Sequence, residues 1–468
     1  MRVVIFGLGQ YFRNREEKIL DALCNDEIVA YMDNDSNCVG KYKYLPFYTP
    51  EKCNDLSFDI IIVTSTYYLD IKQSLLLHNI QEEKIIPWEK FSCYRKKDEL
   101  IVHECGIEVK SKVLIVSSEL GFDGAPMAVY SLALVLKKMG YGVAILSEQA
   151  DENYVLNAKK KGIDILVYPR LAYFFPKEVD VTEFDHVIVN TVIMINAVYT
   201  ISKVRNVIWW IHEGKDEYTG NYRRSKFLIA DVKESDWMQR VSIYAISGVA
   251  RNNFIEFYPD VSVGIWTLGI PDKMQVKSKE IKTSLLTIAI IGGVSSLKGH
   301  DVLFNALCMM KEKYRNRYQV LIIGKNNNSE FERKFLTETK MISRIKLIGE
   351  MTNEELYKAY PIINVVVCAS REETLSLVIV EAMMFGKICV TTDATGISKY
   401  IKNRENGFVV PAGDAFSLKQ CLEYIETHKK ECIKIADNGR KTYEKYFSMD
   451  AFEDRTRAVI ENGESISL

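Results

Sequence analysis

The sequence predicts an α/β protein made of three parallel-sheet units in series. Three observations predict it. Apolar strands alternate with helical patterns over 1–95, again over 111–270 and again over 271–445, as stacked βαβ units require. The chain is 468 residues long, which sets a prior of about three domains. A charged stretch, Cys93 to Lys110, divides the first unit from the second and reads as a linker over 96–110.

Composition narrows the function. Apolar residues make up 47% and charged residues 26%, ordinary values for a chain with a full core. A net charge of −1 leaves no global footprint for nucleic acid. Two local basic clusters, Lys159-Lys160-Lys161 and Arg223-Arg224 with Lys226, read first as solvated faces. Their second reading is a patch for anionic lipid headgroups or a charged acceptor. Ten cysteines include no C-x-x-C pair and no tight Cys/His cluster, which fits a reducing cytoplasm and argues against zinc. MRVVIFGLG is a strand and turn, not a signal peptide. No apolar run reaches the ~18 residues of a membrane span. The expected location is cytoplasmic, with any membrane contact peripheral, at the inner face of the cell membrane.

The first unit opens on the apolar strand Val3 to Phe6, then Gly7-Leu8-Gly9 and a helix from about Glu16 to Cys24. Strands Ile28 to Met32, Phe58 to Thr64 and Lys84 to Ile86 follow. Asp33 ends the second strand. A G-x-G after strand one with an acid after strand two is a partial dinucleotide fingerprint, with Phe12 in place of the third Gly. The unit resembles the small Rossmann-like domain at the front of some bacterial sugar-modifying enzymes. Two readings stay open: a nucleotide or nucleotide sugar bound at Gly7, Gly9 and Asp33, or a docking domain with an empty site. Asp33-Asn34-Asp35 also has the D-x-D form of a metal motif, but the Rossmann-like position already accounts for it.

The second unit starts with Val113 to Ser117. Its later strands are Val143 to Leu146, Ile163 to Tyr168, His186 to Asn190, Val207 to Ile211, Ile243 to Ile246 and Val263 to Leu268. Gly121, Gly124 and Ala125 form a turn before an amphipathic helix, about Met127 to Met139, closed by Gly140. His212 follows the strand VIWWI, at the carboxyl end where parallel sheets bind ligands. Glu213 and Gly214 come next. Ser247 reads as a helix N-cap.

The third unit begins near Leu286. Its first strand, Thr287 to Ile291, ends in Gly292-Gly293, with Lys298-Gly299 in the loop before a helix. Gln319 to Ile323 ends at Gly324, and Ile345 to Ile348 at Gly349-Glu350-Met351. Ile362 to Ala369 then runs into SREETLSLVIVEAMMFGK, Ser370 to Lys387. A polar loop reaches Thr374. An apolar helix follows, whose one charge before its C-terminal end is Glu381. A helix apolar on every side is buried, and a buried carboxylate is costly unless hydrogen-bonded. Glu381 therefore has either a partner in the core or a ligand with paired hydroxyls, such as a ribose. Glu373 lies eight positions upstream, and the helix N-terminus offers N–H groups to an anion.

Glu373 and Glu381, with seven residues between them and EAM at the second, resemble the E-x7-E motif of retaining glycosyltransferases of family 4. The likeness covers about Lys112 to Phe452. It implies a GT-B fold of two facing Rossmann-like domains: 111–270 for the acceptor, 271–445 for the donor, and 446–468 as a helix crossing back. It implies that Glu381 holds the donor's ribose and Glu373 touches its sugar. Backbone at Thr374, Leu375, Ser376, Leu377 and Val378 approaches the sugar and diphosphate. Lys298 binds the diphosphate, while Gly293 stands where the family has an Arg. His212 contacts the donor sugar or phosphate, and Gly124 faces the phosphates. Gly349, Glu350 and Met351 lie along the base. His212, Glu373 and Lys298 are thus the expected catalytic set. Thr374 replaces a family Gly and narrows sugar choice.

No metal and no cofactor is expected beyond the nucleotide-sugar donor, a UDP-sugar being favoured over a GDP-sugar. The expected activity is transfer, with retention, to a glycan, lipid-linked or protein-linked acceptor in bacterial surface polysaccharide or glycoconjugate assembly. Expected partners are a homo-oligomer copy or a glycosylation complex. The alternative is a non-catalytic sugar-nucleotide-binding subunit of such a complex.

Overall fold

The structure, a computed structural model, describes residues 1–468 except 36–44, 66, 89, 92–94, 106–110, 122–123, 216, 219–237, 275–284, 326–328, 340–341, 343 and 463–468. Among the described residues three sheets form. The first holds β1 (Arg2–Phe6), β2 (Glu27–Met32), β3 (Phe47–Tyr48), β4 (Ile60–Val63) and β5 (Ile85–Pro87) in the order β3-β2-β1-β4-β5. All its pairings are parallel. The interior strand β4, IIIV, is buried throughout. Parallel strands covered on both faces need such unbroken apolar runs, and separate clusters around Val4 and Ile5 cover the two faces here.

The second sheet comprises β6 (Ile101–His103), β7 (Lys112–Leu120), β8 (Gly142–Ala150), β9 (Ile163–Val167), β10 (His186–Asn190), β11 (Val207–Ile211), β12 (Val241–Ala245) and β13 (Val263–Ile265). Its order is β13-β12-β11-β10-β7-β8-β9-β6. The stretch expected to be only a linker contributes β6, paired antiparallel to β9 at the sheet edge. Three residues amid charge carry too little periodicity to announce a strand, yet an edge needs no more than their backbone groups. Helices α1 (Gly124–Lys138) and α2 (Gly248–Phe257) pack on this sheet. Lys159 to Lys161 close a helix and are solvent-exposed. Arg223, Arg224 and Lys226 lie outside the described residues.

The third sheet comprises β14 (Leu286–Ile291), β15 (Tyr318–Ile323), β16 (Ile345–Gly349), β17 (Val365–Cys368), β18 (Ile388–Thr392) and β19 (Phe408–Val410), ordered β16-β15-β14-β17-β18-β19. Chain order reverses direction between β14 and β17, the kind of switch point where open parallel sheets bind ligands. Helices α3 (His300–Met309) and α4 (Leu377–Met384) start at the carboxyl ends of those two strands. Helix α5 (Lys429–Tyr446) packs against α4, and α6 (Met449–Arg457) returns to α1 of the middle unit. On α6, Phe452 is fully buried against the rings of Trp210 and Trp266, and Trp266 Nε1 donates to Thr456 Oγ1 at 3.4 Å. Arg455 is closed in as well and donates to the carbonyls of Thr267 and Tyr446. No helix among the described residues is long and apolar enough to cross a membrane.

Candidate active site

The carboxyl ends of the second and third sheets face each other across a cleft of about 460 Å³. The third sheet presents Gly292, Lys298, Ser370 and Glu373 to Val378; the second presents Ser118, Glu119, Gly124, Thr191, His212, Glu213 and Glu217. Of the expected catalytic set, His212, Lys298 and Glu373 all line this one cleft.

Lys298 and Glu373 stand in the loops after β14 and β17, and the Lys298 ammonium is paired with Glu373 Oε2. Ser370 Oγ donates to the same oxygen at 3.2 Å. Arg371 joins the two loops, with both amino groups on the Asp301 carboxylate at 2.9 and 2.6 Å. Gly299 makes this junction possible. Its φ is +71°, and a Cβ there would sit 1.9 Å from the Ala369 carbonyl oxygen, a conformation and a gap that only glycine fits. Ser376 precedes α4 with φ +77°, a strained value for a residue with a Cβ, of the kind often kept at working sites. Ser376, Leu377 and Val378, at the start of α4, all line the cleft.

Across the cleft, the His212 backbone N–H donates to Glu213 Oε2 at 2.9 Å, and Val192 N–H donates to Oε1 at 3.0 Å. Burial pushes the Glu213 carboxyl up to about 7. The imidazole packs edge-on against Trp210, with ring centroids 4.4 Å apart, and its Nε2 is buried without a partner. Burial pushes its pKa down to about 3, so the ring is neutral at physiological pH. Thr191, at φ +73°, holds a second unpartnered buried atom, Oγ1, in the same wall.

Glu381 stands on α4, beyond the cleft lining. Its carboxylate accepts from Tyr357 Oη at 3.4 Å and Tyr360 Oη at 3.3 Å. Burial pushes it up to about 7, against the lowering effect of the two hydroxyls. No basic side chain of the described residues pairs with it. Gly349 ends β16, Glu350 and Met351 follow it, and all three lie beyond the lining. Gly349 O accepts from Gly324 N–H at 2.9 Å, Glu350 is exposed, and Met351 packs on the core. Gly293 neighbours the lining residue Gly292 and approaches Gly324. In the front unit, Leu8 N–H donates to Asp33 Oδ2 at 2.7 Å and Asp35 N–H to Oδ1 at 3.0 Å. The Gly7-to-Gly9 turn and Asp33 are therefore together, with the carboxylate bracing the turn. No group of three His, Cys, Asp or Glu that could hold a metal occurs among the described residues.

Sequence reasoning missed Glu372, Tyr357, Tyr360 and the Arg371–Asp301 pair. The signal for the last was present, an Arg within the motif loop, but its partner lies 70 positions away.

Comparisons with known proteins match each of the three units. The family described as Glycosyl-transferase family 4 matches residues 110–257, and Glycosyl transferases group 1 matches 272–442. The first unit matches C2185-like, N-terminal, over residues 1–86. An uncharacterized glycosyltransferase of Haemophilus influenzae is 20% identical over 331 residues, 68% of this chain and 90% of that protein. The capsular polysaccharide biosynthesis glycosyltransferase CapM of Staphylococcus aureus is 26% identical over 181 residues, 38% of this chain and 46% of its own length. Among solved structures, Anabaena HepE in complex with UDP and glucose aligns with TM-score 0.60 and 16% identity, covering 75% of this chain and all of that one. A glycosyltransferase from Rickettsia africae aligns with TM-score 0.59 over the same shares. With two family matches that together span most of the chain, and a fold of the same kind, the protein belongs to the GT-B glycosyltransferases of group 1 and family 4, with an extra domain at its front.

Proposed function

We propose that the protein is a retaining glycosyltransferase that moves a sugar from a UDP-sugar to a hydroxyl of a glycan, lipid-linked or protein-linked acceptor, in the assembly of a bacterial surface polysaccharide or glycoconjugate. The observation that carries this reading is the Lys298–Glu373 pair at the sheet's switch point, in a cleft opposite His212. Departure of a nucleoside diphosphate develops negative charge. A fixed ammonium and the free amides at the start of α4 stabilise such charge without reorganising. Glu373, held by Lys298 and Ser370, is placed to accept a hydroxyl of the donor sugar. That engagement makes it a poor covalent nucleophile, so retention follows from attack on the leaving group's own face, with a phosphate oxygen taking the proton. The metal-free route belongs to the same proposal, since Lys298 and the α4 amides meet the diphosphate's charge.

UDP is the first base to test because the Anabaena relative was solved with UDP. The CapM likeness supports the surface-polysaccharide setting. For the front unit we favour docking over nucleotide binding, because Asp33 already braces the backbone at Leu8 and Asp35. Gly293, where the family has a second cation, favours the non-catalytic alternative enough to shape the test.

The experiment is a thermal-shift panel of UDP-, GDP- and ADP-sugars, followed by donor hydrolysis and transfer assays with EDTA present. A UDP-sugar at 100 times its Kd should add ~2.7 kcal/mol to stability. Lys298→Ala and Glu373→Ala should each lower turnover by roughly 100-fold or more. Binding without turnover for every donor and acceptor would instead support the subunit reading.

A further inference from the structure

The third unit's motif loop does more than face the donor. Glu372, next to Glu373, lies outside the cleft lining and reaches across to the second unit. Its Oε1 accepts the backbone N–H of Lys215 at 3.0 Å and the side-chain amide of Asn253, on α2, at 3.1 Å. Two residues further on, the Thr374 carbonyl accepts from Ser247 Oγ, the N-cap of α2. Glu373 is therefore bracketed by contacts to the opposite unit. Lys215 lies three residues past His212, in the same strand-end loop, so the bridge joins the two loops that carry the catalytic candidates.

From this geometry we infer that Glu372 is a positioning residue, which closes the cleft and sets Glu373 and His212 in register across it. The inference rests on the reading of the cleft as the transfer site. Both donors to Oε1 are neutral amides, and the Lys215 ammonium is paired with Glu256 at 2.6 Å. The bridge therefore needs an acceptor oxygen rather than a charge. A glutamine at 372 retains that oxygen at the same reach; an alanine does not.

The test compares wild type with Glu372→Ala, Glu372→Gln and the double variant Glu372→Ala with Asn253→Ala. UDP-sugar turnover and UDP affinity are measured for each, and small-angle scattering records the separation of the units. Glu372→Ala should lower kcat by about 10-fold, the size of one to two ordinary hydrogen bonds lost across the cleft, with UDP affinity altered less than about threefold because donor contacts are spared. Glu372→Gln should stay within about threefold of wild type. In scattering, Glu372→Ala should show a larger radius of gyration than wild type, and Glu372→Gln should not. Removing Asn253 in the Ala background should add little, since the two residues act through one contact. The inference is overturned if Gln is as damaging as Ala, if Ala leaves kcat unchanged, or if the scattering curves of Ala and wild type coincide. A wild type that turns over no sugar nucleotide would instead count against the transfer reading, while scattering would still decide the bridge.

Discussion

Glu381 shows how one buried side chain can work against stability. Its carboxyl is raised from 4.5 to about 7, first by burial. Between those values the native state holds more protons than the unfolded one, so the residue's contribution to stability falls as pH rises from about 4.5 to 7 and stays low above it. Glu381→Gln keeps an acceptor for Tyr357 and Tyr360 but removes the buried charge. The variant should match wild type near pH 4 and be more stable at pH 8, by up to roughly 3 kcal/mol. Urea melts at the two pH values read this directly; equal differences at both would refute it. If the carboxylate holds the ribose, as the E-x7-E resemblance implies, UDP affinity of the variant should move the other way, falling about tenfold or more at pH 8. His212 behaves differently. Burial holds its ring neutral down to about pH 3.

At the scale of elements, the loops after β14 and β17 form one structural unit. Arg371 on Asp301, Lys298 on Glu373 and the Gly299 turn hold them together. Gly299→Ala must move the chain away from the Ala369 carbonyl and force a left-handed backbone on a residue with a Cβ. A loss above about 4 kcal/mol is expected, in the range reserved for strain at a special backbone position. Urea denaturation of purified Gly299→Ala checks it, and a midpoint within error of wild type would show that the loop can rearrange. The convergence of these loops was readable beforehand, because parallel strands deliver their carboxyl ends to one edge and β17 carries the motif. The Arg371–Asp301 pair was not, since periodicity within a strand says nothing of which loop stands beside it. Strand β6 escaped for a related reason: an edge strand is made by the neighbour that accepts it.

For the whole molecule, the return of α6 ties the end of the chain to the middle unit. Phe452 packs against the stacked rings of Trp210 and Trp266, and a Cβ on Gly269 would come within 2.6 Å of its Cβ. Phe452→Ala should cost about 3–5 kcal/mol, the range for deleting a buried aromatic ring. It should also change the near-ultraviolet circular dichroism of the two tryptophans. A loss below about 1 kcal/mol would mean that α6 is not what holds the units together. The front unit has its own two-sided core, so a variant lacking residues 1–95 should retain UDP affinity within about twofold by titration. A larger loss would reveal a donor contact from the front unit.

What the sequence alone determined here is periodic and local. Unbroken apolar strands alternating with helices specified parallel sheets, and the spacing of Glu373 and Glu381 around a strand-end loop specified where to look. The tertiary structure decided which side chains meet. It paired Lys298 with Glu373, gave Glu381 two tyrosines in place of a basic partner, and turned Glu372 away from the cleft onto the opposite unit. The physical reason is range. Backbone preference and burial pattern act over a few residues, whereas a charge's partner is chosen by whatever the folded chain brings within ~4 Å of it.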